Sequence, residues 1–136
     1  MDKTAIRQKI KELQDLIEEK DYGMYTDPDT GLMWSDTSPS EMPWDKAFKY
    51  AENCRDGNFN DWRLPTRPEL ITLIDDTTSE PACKDPEMLS SYYWSSTTYA
   101  YNTPYAWYVY FGSGFVNYYY KASNYYVRCV RSGQPT

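Results

Sequence analysis

Residues 92–126 read YYWSSTTYAYNTPYAWYVYFGSGFVNYYYKASNYY and hold 12 of the chain's 15 tyrosines. Inside this stretch Trp107, Val109 and Phe111 alternate with Tyr108 and Tyr110, the period of two that a β-strand imposes on its side chains. Gly112-Ser113-Gly114 punctuates the run as a turn, and further on Val127 and Cys129 alternate around Arg128. A core strand would be richer in Val, Ile and Leu, and a disordered tail would be poor in aromatics. Tyrosine mixed with Ser, Thr, Asn and Gly is a contact composition. The rings give large rigid area at low entropic cost, and the small polar residues give adaptable hydrogen bonds. The stretch predicts an antiparallel sheet with an apolar face, holding Trp94, Trp107, Val109, Phe111 and Val127, and a single opposite face of tyrosines for binding.

Upstream the period changes to that of helices. Ile6, Ile10, Leu13 and Ile17 recur at spacings of four, three and four within residues 4–20, with Thr4 as N-cap and Gly23 past the end. This seam reads as a helix packed on its own domain, and a short oligomerising coiled coil is the alternative. Asp27-Pro28-Asp29-Thr30-Gly31 is turn chemistry between apolar flanks and predicts a hairpin. Trp44, Ala47, Phe48 and Ala51 share a face of a second helix that opens after Pro43. Thr66 and Glu69 form a capping box for a third helix, which buries Leu70, Leu73 and Ile74. Helices first and an antiparallel sheet after them make the fold class α+β.

At 136 residues the chain reads as a helix over residues 1–23 followed by one domain over 24–136. Residues 1–91 carry 20 acids against 11 bases, whereas 92–136 carry only Lys121, Arg128 and Arg131. Without a basic stripe, nucleic acid is not an expected partner. No apolar run reaches the length of a membrane span, and Met1-Asp2-Lys3 does not open a signal peptide. The expected setting is synthesis in the cytoplasm, with any display outside depending on a particle, lysis or a carrier chain. With no histidine and three scattered cysteines, neither a metal site nor an enzyme is expected, and no cofactor is called for. Cys54, Cys83 and Cys129 read either as three buried thiols or as one bridge plus a free thiol. Asp27/Asp29 and Asp75/Asp76 read as turn and cap carboxylates, with a structural ion near them left open. Arg63, Arg67, Arg128 and Arg131 are positioned to pair with the acids of the first 91 residues, and Arg63 is expected to be buried against loop carbonyls.

Five ordered segments carry a resemblance: Gly31-Leu32-Met33-Trp34, Asp61-Trp62-Arg63-Leu64-Pro65-Thr66, Tyr93-Trp94-Ser95-Ser96-Thr97, Ala106-Trp107-Tyr108-Val109 and Tyr126-Val127-Arg128-Cys129-Val130-Arg131. Over about residues 24–132 the chain resembles the bacterial domain family of the Legionella collagen-like protein C-terminal domain, on the formylglycine-generating-enzyme branch of the C-type lectin fold. The resemblance implies a C-type lectin fold, two domain helices plus an antiparallel sheet, with an extra N-terminal helix. It also implies contact, and in many relatives a disulfide, between Cys54 at the end of a helix and Cys129 in the last strand. The oxidising activity of that branch is not carried over, because Cys83 and Cys129 lack a matching surround. The Glu-Pro-Asn and Gln-Pro-Asp segments with which sugar-binding C-type lectins place calcium are missing.

The chain is also similar to variable proteins diversified by retroelements, in which reverse transcription scrambles template adenines on this kind of scaffold. Asn codons then become Tyr, Ser, Thr, Asp, Phe or Ile, and Asn102, Asn117 and Asn124 remain among the tyrosines. The implied variable region is about 92–126. Its candidate ligand contacts are Tyr93, Ser96, Thr98, Tyr99, Tyr101, Asn102, Tyr105, Tyr108, Tyr110, Ser113, Phe115, Asn117, Tyr118, Tyr120, Ser123, Asn124 and Tyr125. The implied role is a display protein, viral, phage-borne or cellular, binding a protein or glycan on a target surface, with weak homo-oligomerisation as an added feature. A fixed carbohydrate- or glycosaminoglycan-binding adhesin domain and a purely structural domain are the alternatives.

Overall fold

A computed structural model describes residues 2–21 and 23–133, with the side chains of 14–21 outside the description. In chain order the elements are α1 (Lys3–Asp21), β1 (Tyr25–Thr26), β2 (Leu32–Thr37), α2 (Trp44–Asn53), a 3₁₀ turn (Asp56–Asn58), α3 (Arg67–Ile71), β3 (Tyr92–Thr98), β4 (Tyr105–Tyr110), β5 (Phe115–Tyr120) and β6 (Arg128–Ser132). The class is α+β, as the order of periodicities predicts. The strands form two antiparallel three-stranded sheets, β1-β2-β6 and β3-β4-β5, where one sheet was expected. The division falls at residues 125–127, which cross between the sheets and tie them together. Tyr126 gives its amide to the Tyr92 carbonyl at 2.9 Å and takes the Trp94 amide at 3.0 Å. Tyr125 bridges Met42, and Val127 accepts the Ser38 amide at 2.8 Å.

The turn between β1 and β2 follows its chemistry. Asp27 is buried and its carboxylate accepts the Asp29 amide at 3.0 Å and the Thr30 hydroxyl at 3.1 Å, while Gly31 takes φ +75°. Lys84 Nζ lies 3.2 Å from Asp27 and 2.9 Å from Asp29, so one ammonium bridges the two carboxylates. The capping box on α3 forms as expected, with the Glu69 amide on Thr66 Oγ1. Arg63 departs from expectation. It is exposed, and its guanidinium grips Glu69 through two bonds of 2.6 Å, holding that carboxyl down at about 2. Burial falls instead on Arg128 and Arg131, which pair with Asp85 at 2.8 Å and Asp61 at 2.6 Å. Arg128 also donates to the carbonyls of Ser35 and Gly23, locking the last strand to the entrance of the domain.

Two apolar clusters fill the interior, one on each side of the β3-β4-β5 sheet. One packs Ala47 and Ala51 of α2 against Trp94, Ala106, Tyr108, Val127 and Cys129. The other packs Leu70 and Leu73 against Trp34, Tyr93, Val109, Phe111 and Val130. Phe48, expected on the buried face of α2, is 39 % exposed and lies edge-on to Trp44 at 4.6 Å, because the two alanines already bring α2 close to the sheet. The three cysteines are free and buried. Cys54 and Cys129 meet as expected in one apolar cluster, and their interaction lowers the Cys54 pKa and raises that of Cys129. α1 corrects the sequence reading as well: Ile6, Ile10 and Leu13 are 45 %, 49 % and 50 % exposed, so this part of the seam is not packed on its own domain. Ile17 lies outside the described side chains.

Candidate ligand-binding surface

The register of β3-β4-β5 decides where each tyrosine goes. Partners opposite one another share a face, and successive residues take opposite faces. Tyr92 pairs Tyr110, Trp94 pairs Tyr108, and Ala106 pairs Tyr119, all on the side of α2. Trp107 pairs Tyr118, Tyr105 pairs Tyr120, and Tyr93 pairs Val109, all on the side of α3. The tyrosines therefore form two groups on opposite faces, not the single face that clustering in sequence suggested. Adjacent tyrosines cannot share a face of a strand, so runs such as Tyr118-Tyr119-Tyr120 feed both sides.

The group on the α2 side centres on Tyr125. Its ring stacks on Tyr92 at 5.1 Å and 19°, lies 4.6 Å from Trp94 and 5.1 Å from Tyr108, and reaches Tyr119 at 6.5 Å. Burial, then the neighbouring phenols Tyr108, Tyr119 and Tyr92, push the Tyr125 hydroxyl up to about 12. Tyr108 is buried in the core beneath this group, and burial raises its pKa too. These rings are mostly the inner wall of the sheet, with Tyr119 (48 % exposed) and Tyr92 (37 %) at its lip.

The group on the α3 side is open. Tyr99 and Tyr118 stack at 3.8 Å and 20°, and both meet Trp107 edge-on at 5.5 Å and 5.3 Å. Tyr105 lies 4.4 Å from Tyr120 and 5.8 Å from Tyr118, and Tyr101 extends the group from the β3–β4 turn at 92 % exposure. The neighbouring phenols Tyr118 and Tyr120 raise the pKa of Tyr99 and Tyr105, respectively. On Trp107 rests the Arg67 guanidinium, 3.6 Å from the ring centroid.

A bulge in β3 creates this contact. Trp94 pairs Tyr108 but Thr98 pairs Ala106, so Ser95, Ser96 and Thr97 stand opposite Trp107 alone. Ser95 Oγ donates to the Trp107 carbonyl at 2.7 Å, and Thr97 Oγ1 takes the Arg67 amide at 2.9 Å. The first turn of α3 is thereby docked beside the strand, and its side chain lands on the indole. Lys121, the one charge inside the window, turns back to the scaffold, with Nζ 4.0 Å from the Trp44 ring and 3.0 Å from Thr98 Oγ1.

Not every candidate residue joins the open surface. Tyr93 is fully buried, its hydroxyl 2.8 Å from Thr37 Oγ1 and accepting the Leu89 amide, and burial pushes it up to about 12. Tyr93 and Tyr108 are core residues, a correction that register explains: each points at a helix. Ser113 and Phe115 are exposed but lie at the far end of β4, since Tyr110 pairs Phe115 while Tyr105 pairs Tyr120. Six residues of strand separate the two ends, roughly 17–20 Å. Asn102 and Asn124 are exposed, while Ser96, Thr98, Tyr110, Asn117 and Ser123 are half-buried. Trp107, expected beneath the tyrosines, is half-exposed among them. Arg67, Tyr92 and Tyr119 were overlooked as surface residues. Only pairing partners, not spacing, place them there.

The fold and this surface define a mixed α+β domain with an exposed tyrosine-rich patch, consistent with ligand binding. Residues 23–131 match the model of the Lcl C-terminal domain, that of the Legionella collagen-like protein. The chain belongs to that family. No protein of curated function matches it. None of the described helices is long and apolar enough to cross a membrane.

Proposed function

We propose that this protein is a non-catalytic display domain of the C-type lectin fold whose tyrosine-rich surface, within residues 92–126, is diversified by a retroelement to bind varied partners. One observation carries the reading: tyrosines that the core does not need gather on the open face around Trp107, in a stretch that also keeps Asn102, Asn117 and Asn124. Tyr101, Tyr118 and Tyr120 are 92 %, 36 % and 51 % exposed. Rings of this kind give rigid contact area whose partner is set by which positions hold tyrosine and which hold a small polar residue. Trp94, Val109, Phe111 and Val127 are fully buried and supply an unchanging floor under such variation. The partner is a protein or glycan on a target surface.

The test is the DNA around the gene. A near-copy of the codons for residues 92–126, differing at template adenines and lying beside a reverse transcriptase gene, is the expected finding. An intact locus without such a copy refutes diversification and leaves a binder of fixed specificity. A glycan array then separates a single sugar ligand from a protein one.

A further inference from the structure

The exposed seam of α1 and the charges beside it point to a second copy of this chain. Ile6, Ile10 and Leu13 are about half exposed, and α1 meets the rest of the described chain at the 3₁₀ turn Asp56–Asn58. Ile17 continues the seam in sequence, giving two heptads of alternating d and a positions. The charges are divided along the helix. Residues 2–11 hold four bases, Lys3, Arg7, Lys9 and Lys11, against one acid, and residues 12–21 hold five acids against Lys20. This order opposes the helix macrodipole, which favours acids at the N-terminus and bases at the C-terminus. The first turn of α1 holds no acid.

An antiparallel copy resolves each of these features together. It lays the basic half of each helix on the acidic half of the other and sets the dipoles head to tail. It also matches Ile6 with Ile17 and Ile10 with Leu13 about a centre between Lys11 and Glu12. A parallel copy would set bases on bases and acids on acids. We propose that α1 pairs antiparallel with α1 of a second copy. The two domains then leave the pair at opposite ends, separated by the length of a 19-residue helix, about 28 Å. Two weak binding surfaces in one particle gain avidity without any new contact. The inference stands whether or not the surface is diversified.

Sedimentation equilibrium of the whole chain tests the pairing, with association expected at concentrations up to about 1 mM. It should weaken severalfold as salt rises from about 0.1 M to about 1 M, which cuts the screening length from roughly 10 Å to 3 Å. Ile10→Asp with Leu13→Asp should abolish it while leaving the melt of the domain unchanged, since neither side chain is in the core. For orientation, the Lys3→Cys and Lys20→Cys variants are mixed in a glutathione redox buffer, the native thiols being buried. The mixed disulfide should exceed either homodimeric one about tenfold. Predominance of homodimeric disulfides overturns the antiparallel arrangement, and a monomer at every concentration overturns the pairing.

Discussion

The two tyrosine groups share one sheet and one composition, yet they differ in what lies behind them. On the α2 side Tyr108 and Tyr125 press on Trp94 and on a helix that two alanines let come close, so the phenols become core and lip. On the α3 side the short helix covers Val109 and Phe111 and begins at Arg67, which lies across a half-buried Trp107, leaving Tyr101, Tyr118 and Tyr120 exposed. The same residue type is scaffold on one face and surface on the other.

The sharpest way to break this contrast is to cut each face at its tryptophan. Trp94→Ala removes a fully buried indole whose Nε1 donates to the Met42 carbonyl, and should cost about 3–5 kcal/mol in denaturant melts. Trp107→Ala should cost clearly less, because its ring is half-exposed; equal losses would erase the distinction between the faces. Gly112→Ala comes next. A Cβ there would sit 2.3 Å from the Tyr110 ring, and the displacement should cost about 1–3 kcal/mol by the same melts.

Alkali probes the buried phenols in another way. Tyr93 and Tyr125 have folded pKa values raised to about 12, from about 10 unfolded. A raised pKa means that the folded state holds the proton more tightly, so this stability is complete below pH 10 and is lost as pH climbs toward 12. Tyr125→Phe should flatten that loss by about 1 kcal/mol after solvent screening, and Tyr93→Phe should flatten it as well. Spectrophotometric titration alongside melts at each pH reads both. The smallest effect on stability belongs to the open face. Tyr101, Tyr118 and Tyr120 changed to Ser should each shift stability by less than about 0.5 kcal/mol. Together they should remove partner binding in a pull-down, as the loss of interface tyrosines commonly does. A large drop in melting temperature would show that this group is scaffold too.

The elements themselves were legible because local rules determine them: the Thr66–Glu69 box starts α3, Asp27 to Gly31 turns the hairpin, and alternation marks β4. Family membership was legible as well, from five short segments in order. What spacing along the chain could not supply was pairing. Only the partners of β4 put Tyr108 in the core and Tyr118 outside, and only the bulge at Ser95 to Thr97 brings Arg67 onto Trp107. Arg63 was misjudged for a related reason. Its backbone makes a single antiparallel bridge to Val130, and its side chain turns outward to Glu69, while Arg128 takes the buried place.

The arginine that bonds the Gly23 carbonyl does more than fill the interior. Leu32 pairs with Ser132, so the strand near the domain's entrance and the last described strand lie side by side in the β1-β2-β6 sheet, not in the sheet that carries Trp107. The domain thus works like a plug with both leads on one side. A fusion at either lead, or insertion of the whole unit into a surface loop of a host protein, attaches at the same pair of strands. The mounting strands thus belong to one sheet and the exposed aromatic rings to the other.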